Sequence, residues 1–576
     1  MTKENLFSYF PLFSSDWGVF IKLLLIILIL VLINIAIYDR FIQRKNQLLI
    51  NFPLIGRMRY LFYMLRNPMR QYFGDETFYD SFEKIDWINK VSHGENPYLS
   101  FSPSNPYGNQ KSLFRHANFV NELHEVQAEF SVRFGENRKI PFESKSIIGR
   151  SAMSDGAVSP EGTRAYARGA FNGQFPINTG EGGLTSNFLA TLNLKDCENS
   201  YLEMKEGTWF AKSIYRIMRF FTNREVSQRL YRHMVVRQKD RGSFIFDRTR
   251  LVYFRINWHS PLESFPESIS EGIPDITFQM GSGLYGVRDE EGNFSDDLYQ
   301  KVMRFCRMTE VKLAQGAKQT GGKLLATKVS DDIAYYRGVP AHKDLVSPNR
   351  FPYATDMETF FDFIERLQKL SDKPVGFKIV ISSRENFETY AKALKNRVSE
   401  GKDIADFITI DGGDGGSATA PLEMMSKIGL PIREALLIVN QVLNEYELRE
   451  HIKIIASEKV LTPDDVVDLL CHGADFINIA RGFMIAAGCI RARECSGANG
   501  RDCPVGLNTM NEAKRSKYLV IEKSKHIAFY HHQLLHGVRT LLAVMGKRHI
   551  DELSMDDVIL RSIKKETNQP YCSTKV

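Results

Sequence analysis

Three cysteines in the last part of the chain have a spacing suited to metal chemistry. Cys489, Cys495 and Cys503 lie in AAGCIRARECSGANGRDCPVGLN (486–508), a C-x5-C-x7-C pattern with a proline after the last cysteine. Three thiolates at short spacing can hold an iron–sulfur cluster, whereas zinc usually needs a fourth ligand, and none is obvious nearby. The spacing alone leaves two alternatives open, a cluster and three unligated thiols.

Three glycine-rich stretches are the second candidate for chemistry. They are TGEGG (179–183), QGAKQTGG (315–322) and DGGDGGSATAP (411–421). Glycine lets a backbone approach a flat ring or a phosphate closely, and consecutive N–H groups can cradle an anion. One such stretch indicates only a turn, but three that follow predicted strands favour a binding site at one face of a barrel.

The loops after the last two predicted strands are candidates for a phosphate site. In many barrels the loops after strands seven and eight hold a phosphate. Ser457, Arg481 and Gly482 can do so here, with Arg481 supplying charged hydrogen bonds. The alternative is ordinary turn chemistry, in which Thr462 caps a helix that begins at Pro463.

The elements that position these residues are short apolar runs that alternate with helical stretches. The runs are SIIGRSAMS (146–154), QFPIN (174–178), ITFQMGS (276–282), VKLAQ (311–315), PVGFKIV (374–380), DFITID (406–411), IKIIAS (452–457) and DFINIA (475–480). Continuous apolar runs are typical of parallel strands buried on both faces. Eight such units predict an α/β fold, a (β/α)8 TIM barrel over residues 146–510.

Two regions lie outside the regular alternation. An Arg-rich stretch at about residues 190–270 is predicted to be an insertion between the second and third strands. It is either a basic contact surface or a solvated helical excursion. Residues 511–576 are predicted to form a helical region after the barrel.

The N-terminal part predicts attachment to a lipid bilayer by one helix. Residues 17–38, WGVFIKLLLIILILVLINIAIY, are apolar apart from Lys22 near one end, and about 20 such residues cross a bilayer. A cleavable signal peptide would have a shorter apolar run that ends in small residues. Only Lys3 precedes the helix, whereas several cations follow it. The positive-inside rule therefore predicts a short extracytoplasmic segment, 1–16, and a cytoplasmic catalytic domain.

Residues 39–145 are predicted to form a basic juxtamembrane segment and an N-terminal subdomain. Within them, residues 51–73 mix arginine with leucine, phenylalanine, tyrosine and methionine. This pattern predicts either an amphipathic segment on the membrane surface or a helix packed on the main domain. The formal net charge of +7 is modest and does not argue for a nucleic-acid partner.

Taken in order, several motifs resemble the FMN-containing synthase domain of glutamate synthase. They are SAMSDGAVSPEG, TGEGGL, KLAQGAK, YYRGVPAHKDLVSP, PVGFKI, DGGDGGSATAPLE and GFMIAAGCIRAREC. The N-terminal part, with NFPLIGRMRYLF, is similar to a membrane-associated or stand-alone branch of that family. The resemblance implies FMN on the barrel and a three-cysteine cluster, usually a 3Fe-4S cluster. It also implies reduction of 2-iminoglutarate, formed from 2-oxoglutarate and ammonia, to glutamate.

The resemblance also implies residue roles at matching positions. Glu181 would handle protons beside the substrate, and Lys378 would stabilise the reduced flavin. Substrate carboxylates would be bound by Gln315, Lys318 and Arg337. The residues implied to line FMN are Ser151, Met153, Asp411, Gly412, Ser457, Arg481 and Gly482. Cys489, Cys495 and Cys503 are implied to hold the cluster.

The chain departs from the family pattern in ways that bear on function. The second cysteine gap is longer than usual, and Glu458 stands beside the expected phosphate, where this branch often has glycine. The glutaminase domain is absent, so we expect ammonia and electrons to come from elsewhere, the electrons from an unidentified donor. The alternatives are flavin chemistry on another substrate with a membrane electron carrier, and a non-catalytic membrane-bound homologue.

Overall fold

The computed structural model describes most of the chain, and every structural statement below concerns the described part. The described ranges are 15–62, 82–98, 112–190, 202–204, 209–222, 254–316, 321–413, 415–421, 423–424, 426–457, 459–492, 494–497 and 502–560. Lys318 and Glu458, which the sequence singled out, lie outside these ranges.

The described strands and helices are numbered here in chain order. The strands are β1 (Ser112–Phe114), β2 (Val132–Phe134), β3 (Phe142–Ser144), β4 (Ile148–Arg150), β5 (Ile177–Asn178), β6 (Leu202–Met204), β7 (Phe254–Ile256), β8 (Ile276–Met280), β9 (Met308–Lys312), β10 (Lys323–Leu324), β11 (Leu345–Val346), β12 (Val375–Ile379), β13 (Phe407–Asp411), β14 (Lys453–Ser457), β15 (Phe476–Ile479) and β16 (Val558–Leu560). The helices are α1 (Ser15–Ile37), α2 (Gln47–Asn51), α3 (Phe82–Ser92), α4 (Pro160–Gly173), α5 (Trp209–Phe221), α6 (Asp296–Met303), α7 (Asp331–Arg337), α8 (Met357–Ser371), α9 (Arg384–Ser399), α10 (Ile432–Glu445), α11 (Pro463–Cys471), α12 (Arg481–Ala486), α13 (Glu512–Arg515) and α14 (Val520–Val544).

Eight of these strands close into a parallel barrel. Around the barrel the order is β4, β5, β8, β9, β12, β13, β14 and β15, which is also their order in the chain. Helices follow the strands on the outside, so each strand is covered on both faces and reads as an apolar run. The predicted (β/α)8 TIM barrel is therefore confirmed.

A short hairpin covers the amino-terminal end of the barrel. Strands β2 and β3 pair antiparallel, and the fully buried Phe134 meets Phe407 and Phe476 edge-on, with 5.7 Å between ring centres in each case. Phe407 and Phe476 begin β13 and β15. Because aromatic rings fill this end, the opposite end, where the glycine-rich loops lie, is the one available for a site.

The fourth barrel strand differs from its prediction. The sequence predicted residues 311–315, but β9 spans Met308–Lys312. The hydrogen-bond ladder between β9 and β12 ends here, because the amides of Leu313 and Ala314 both donate to the carbonyl oxygen of Lys378, at 3.0 and 3.4 Å. Gln315 consequently lies in the loop after the strand, which brings its side chain into the site.

The capping prediction for the seventh loop is confirmed. Helix α11 begins at Pro463, and Thr462 and Asp465 form a reciprocal capping box at its start. The contacts of Thr462 and Asp465 are therefore those of an ordinary helix cap. Ser457, at the end of β14, takes no part in this cap.

One helix among the described residues is long and apolar enough to cross a membrane. It covers Phe20–Ile42 and lies near the N-terminus, and its apolar stretch is not buried against the rest of the chain, whereas Asp39 near its end is buried. A signal sequence meets the same criterion.

Candidate active site

The barrel mouth, meaning the carboxyl-terminal ends of the eight barrel strands, contains a buried ion pair. Lys378 on β12 places its Nζ 3.2 Å from Oδ2 of Asp411 on the neighbouring β13. Burial lowers the pKa of Lys378, but the carboxylates of Asp411, Glu310 and Glu181 outweigh burial and leave the pKa above its ordinary value. Lys378 is therefore a fixed cation at neutral pH.

A second ion pair joins Glu181 to Lys312 at the end of β9. The Nζ of Lys312 lies 2.7 Å from Oε2 of Glu181 and donates to Oε1 of Gln315 at 2.9 Å. Glu181 packs on the turn after β8, where a Cβ on Gly281 would come within 2.3 Å of Oε1. The structure thus brings Glu181 and Gln315 together through a lysine between them.

The loops after β9 and β13 touch backbone to backbone. A Cβ on Gly316 would lie 1.8 Å from the carbonyl oxygen of Gly412, so only glycine fits there. The amide of Gly316 also donates to Oδ2 of Asp411 at 3.0 Å. Asp411 therefore holds this loop in place while it pairs with Lys378.

Arg337, at the end of α7, is a buried cation near the GEGG turn. It is 5% exposed, and its Nη2 donates to the carbonyl oxygen of Asp155 at 3.1 Å. A Cβ on Gly182 would lie 2.8 Å from Nη2, and Nε has no hydrogen-bond partner among the described residues. Burial lowers the pKa of Arg337, while Tyr285 and Glu181 act in the opposite direction. A buried guanidinium with a spare donor is suited to bind a carboxylate.

The loops after β4, β14 and β15 carry two hydroxyl groups and a guanidinium to the barrel mouth. Ser151 follows β4, and its Oγ lies 3.1 Å from Oγ of Ser457 at the end of β14. Arg481 begins α12, with Nη2 3.4 Å from the position of a Cβ on Gly416. Such a set of hydroxyls, a guanidinium and glycine backbone can hold a phosphate.

Two further residues predicted to line the flavin have structural contacts of their own. The carbonyl oxygen of Met153 accepts from Nη1 of Arg150 at 3.0 Å. A Cβ on Gly482 would lie 2.0 Å from the hydroxyl of Tyr530. Gly482 is therefore needed for the packing of α12 on α14, whatever else it contacts.

The cysteine site, meaning Cys489, Cys495, Cys503 and the side chains packed around them, follows α12. Burial, with smaller contributions from Cys495 and Cys503, raises the pKa of Cys489 to about 11. Within the described ranges, no three histidine, cysteine or acidic side chains converge closely enough to hold a metal ion. The thiols are thus close enough to influence one another without having ligating geometry.

Two buried lysines adjoin the cysteine site. Lys328 is 6% exposed, and its Nζ donates to the carbonyl oxygen of Cys495 at 2.6 Å and to Oδ1 of Asn508 at 2.8 Å. Lys523 is 4% exposed, and its Nζ lies 3.1 Å from the position of a Cβ on Gly488. Burial lowers the pKa of Lys523 to about 8. Both ammonium groups are thus held in a poorly solvated place beside the cysteines.

Arg150, the last residue of β4, is a further buried cation. Arg150 is 1% exposed, donates to the carbonyl oxygens of Ser151 and Met153, and lies 5.2 Å from the ring centre of Tyr166. Burial lowers the pKa of Arg150 to about 9. The phenol of Tyr166 is within electrostatic reach of all three cysteines. Buried cations with neutral partners carry a large desolvation cost, which an anionic group among the cysteines would offset.

Sequence reasoning missed several charged residues of these sites, among them Glu310, Lys312 and Lys328. Glu310 and Lys312 are two positions apart on β9 and are both buried in the barrel. A pair of charges within an apolar strand is the signal that identifies them, because such groups are rarely buried without a purpose. Lys328 has no comparable local signal, since its partners are distant in the chain.

Comparison with known proteins identifies the family. A family model described as the conserved region in glutamate synthase matches residues 104–548. The glutamate synthase large subunit-like protein YerD of Bacillus subtilis is 28% identical in an alignment of 564 positions that covers 90% of each chain. An archaeal-type NADPH glutamate synthase of Dehalococcoides mccartyi is 27% identical over 311 residues, 53% of this chain and 57% of that protein.

Other similar proteins include a much longer enzyme and a solved structure of similar length. The large chain of the NADPH glutamate synthase of Azospirillum brasilense is 31% identical over 296 residues, 51% of this chain and 18% of that protein. Among solved structures, the L230A variant of flavocytochrome b2 with benzoylformate aligns with a TM-score of 0.41 at 14% identity, covering 90% of this chain and 92% of that one. From the family model, which spans most of its length, we conclude that the chain belongs to the glutamate synthase family.

Proposed function

We propose that this chain is an FMN-dependent oxidoreductase of the CH–NH2 class that reduces 2-iminoglutarate to glutamate. The imine forms when 2-oxoglutarate condenses with ammonia and loses water. The observation that carries the proposal is the charge arrangement at the barrel mouth of a glutamate synthase family member. Two lysine–carboxylate pairs lie there beside a buried arginine that has a spare donor.

The residues at the mouth suit FMN. Ser151, Ser457 and Arg481 would hold its phosphate, since the two hydroxyl groups are in contact and the guanidinium lies against the glycine-rich loop. Asp411 and Gly412, where two loops touch, would let the flat ring approach the backbone. Met153, in the first loop, and Gly482, in the last, would complete the lining. When bound, FMN supplies hydride to the imine carbon from its N5.

The cations on the opposite side suit a dicarboxylate. Arg337 offers a guanidinium whose Nε has no partner in the described part of the chain, and Gln315 and Lys312 lie together at the loop after β9. Lys318, by family resemblance, would bind the other carboxylate. Charged hydrogen bonds of this kind contribute about 1.5–3 kcal/mol each, enough to orient the substrate.

Glu181 is placed to manage the proton that the imine nitrogen needs. Its Oε2 is bonded to the ammonium of Lys312, which keeps the carboxylate in one orientation. The pair can hold a proton at either the Glu181 oxygen or the Lys312 nitrogen. Lys378 would have a different role, because its permanent charge would stabilise negative charge on a reduced flavin bound at the mouth.

The cysteine site suits an anionic iron–sulfur cluster, which we propose to be a 3Fe-4S cluster. Cys489, Cys495 and Cys503 would be its ligands. The support is electrostatic: Lys328 and Lys523 are buried beside these cysteines, and a negative cluster would offset the cost of burying them. The longer gap before Cys503 would then be accommodated in the loop between the ligands.

We also propose that α1 anchors the protein in a membrane, with the barrel in the cytoplasm. The residues after the helix support an anchor over a cleavable leader. Asp39, at the end of the helix, is fully buried and is held by Arg57 through bonds of 2.5 and 2.8 Å. The end of the helix is therefore folded against the segment that follows it and does not lead into a free linker.

The test is an anaerobic experiment on purified full-length protein with its FMN reduced. Adding 2-oxoglutarate together with ammonium is expected to return the oxidised flavin spectrum and to produce glutamate, one per flavin. Neither compound alone should do so, because only the imine accepts hydride. A reduced flavin that stays reduced with both compounds present would contradict glutamate chemistry and favour another substrate.

A pair of arginine variants sharpens the test. Arg337→Met removes the buried guanidinium and is expected to slow flavin reoxidation at low 2-oxoglutarate concentration by at least tenfold, equal to about 1.4 kcal/mol. Arg366→Met removes a half-exposed arginine that pairs with Asp296 on the barrel surface and should leave the rate unchanged. Equal rates in the two variants would remove Arg337 from the substrate site.

A further inference from the structure

The segment that follows the membrane helix is folded onto the body of the protein. This collar, residues 38–62, contains the short helix α2 and the helical residues 55–62. Leu48, Leu49 and Ile50 of α2 are buried. Nη1 of Arg40 also bonds the carbonyl oxygen of Ile50 at 3.3 Å, which closes the collar on itself. Its position relative to the body is thus fixed by packing.

Two amide side chains of the collar form hydrogen bonds with backbone atoms near the cysteine site. Nε2 of Gln47 donates to the carbonyl oxygen of Lys517 at 2.6 Å, and its Oε1 accepts from the amide of Leu519 at 2.9 Å. Nδ2 of Asn51 donates to the carbonyl oxygen of Pro504 at 2.8 Å. Because Pro504 directly follows Cys503, this hydrogen bond holds the backbone next to a predicted cluster ligand.

Tyr518, which lies between the two residues bonded by Gln47, connects the collar to the thiols. It is 1% exposed, and its hydroxyl donates to the carbonyl oxygen of Ala487 at 2.6 Å. It is within electrostatic reach of Cys489 and Cys503. The buried side chain of Tyr518 therefore connects the backbone segment bonded by Gln47 to the cysteine site.

The outer surface of the collar has the character of a membrane interface. Its exposed large apolar residues are Phe41, Ile42, Ile55, Met58, Leu61 and Phe62. Exposed basic residues, among them Lys45 and Arg57, lie between them. Apolar side chains with interspersed cations, directly continuous with an apolar helix, are the pattern of a segment that lies among anionic lipid headgroups.

We infer that the cysteine site is held at the bilayer surface by the collar, and that the electron donor is a membrane-dissolved quinol. The inference rests on the proposed function and names its missing donor. The quinol loses two electrons and two protons to become a quinone. The C=N bond of the imine takes up two electrons and two protons to become the C–N bond of glutamate. Gln47 and Asn51 are positioning residues in this account.

The experiment uses full-length protein in nanodiscs of phosphatidylethanolamine and phosphatidylglycerol. Menaquinol-4 in the bilayer is the membrane donor and dithionite is the water-soluble donor. Flavin reduction is followed for each donor, and reoxidation of the reduced protein by menaquinone-4 is followed in reverse. We expect electron exchange in both directions with the quinone pair, because the entry point faces the lipid.

The variant that tests the collar is Gln47→Ala with Asn51→Ala. It should slow exchange with menaquinone-4 at least tenfold while reduction by dithionite and the FMN content stay unchanged. The matched control is Gln441→Ala, which removes an exposed amide from α10 and should change neither rate. If the double variant loses FMN, a photoreactive azidoquinone on the unaltered protein is the second measurement. It should label residues 38–62 or 502–519, with competition by menaquinone-4.

The outcomes separate this inference from the proposed function. Reduction by dithionite but not by menaquinol-4, with no reoxidation by menaquinone-4, would overturn the quinol donor. A soluble acidic donor protein would then be the alternative. In that case the reaction with 2-oxoglutarate and ammonium still tests the glutamate chemistry. Electron exchange with menaquinone-4 but no reduction of the imine would support the quinol donor and contradict 2-iminoglutarate as the substrate.

Discussion

The barrel mouth and the cysteine site both contain buried charges, but they balance them differently. At the mouth each lysine has a carboxylate partner within the protein, Lys378 with Asp411 and Lys312 with Glu181. At the cysteine site, Lys328 has only neutral oxygen atoms as hydrogen-bond partners among the described residues, including the carbonyl oxygen of Cys495 and Oδ1 of Asn508. Burying a charge without an opposite charge is costly. The difference favours a mouth that is organised before a ligand arrives, and it supports the proposal that an anionic cluster completes the cysteine site.

The largest effect is expected from Cys503→Ser. Loss of one of three ligands should abolish cluster binding, so iron and acid-labile sulfide should fall to background in the purified protein. The matched control is Cys471→Ser, a buried cysteine on α11 outside the site, which should keep its iron. A Cys503→Ser protein with full iron content would remove this thiol from the ligand set.

At the mouth, Lys378→Met is expected to lower the rate of imine reduction by about 100-fold, the size of effect seen when one preorganised electrostatic group is removed. The variant also leaves Asp411 buried without its partner. The rate of flavin reoxidation under single-turnover conditions measures the effect. Lys378→Arg, which keeps the charge, should retain more activity than the methionine variant, and equal loss in both would argue for packing rather than charge.

The contact between the two glycine loops gives a third prediction. Gly316→Ala would put a Cβ 1.8 Å from the carbonyl oxygen of Gly412, so the loops must separate, and overpacking of this kind costs about 1–3 kcal/mol. We expect weaker FMN retention, measured as flavin released during gel filtration. Gly401→Ala, in a turn with nothing within 4 Å, should retain FMN fully. Full retention by Gly316→Ala would show that this contact does not shape the flavin site.

The smallest effect is expected from Lys328→Gln. Glutamine can still donate to the carbonyl oxygen of Cys495, but the positive charge is lost. The reduction potential of the cluster should fall, because a nearby cation favours the more negative, reduced state. A potentiometric titration monitored by electron paramagnetic resonance measures the shift. An unchanged potential would mean that Lys328 serves only to hold the backbone.

The barrel was predictable because its strands are buried on both faces and read as apolar runs, such as those that became β13 and β14. The end of β9 was not predictable from the sequence, because it depends on two amides that share one carbonyl acceptor on a neighbouring strand. Glu181 and Lys378 could be found by family resemblance, whereas Lys312 was hidden in a predicted strand. The bonds of Gln47 to residues 517 and 519 join positions more than 450 apart, and no local pattern indicates them.

The central claim is that the mouth holds FMN and that the cysteine site holds an anionic cluster. The most direct measurement is the absorption spectrum of gently purified full-length protein, with flavin and iron quantified after denaturation. The account predicts flavin bands over a broad iron–sulfur absorbance, with one FMN and three iron atoms per chain. A colourless protein without flavin or iron would contradict the claim and leave a non-catalytic homologue as the explanation.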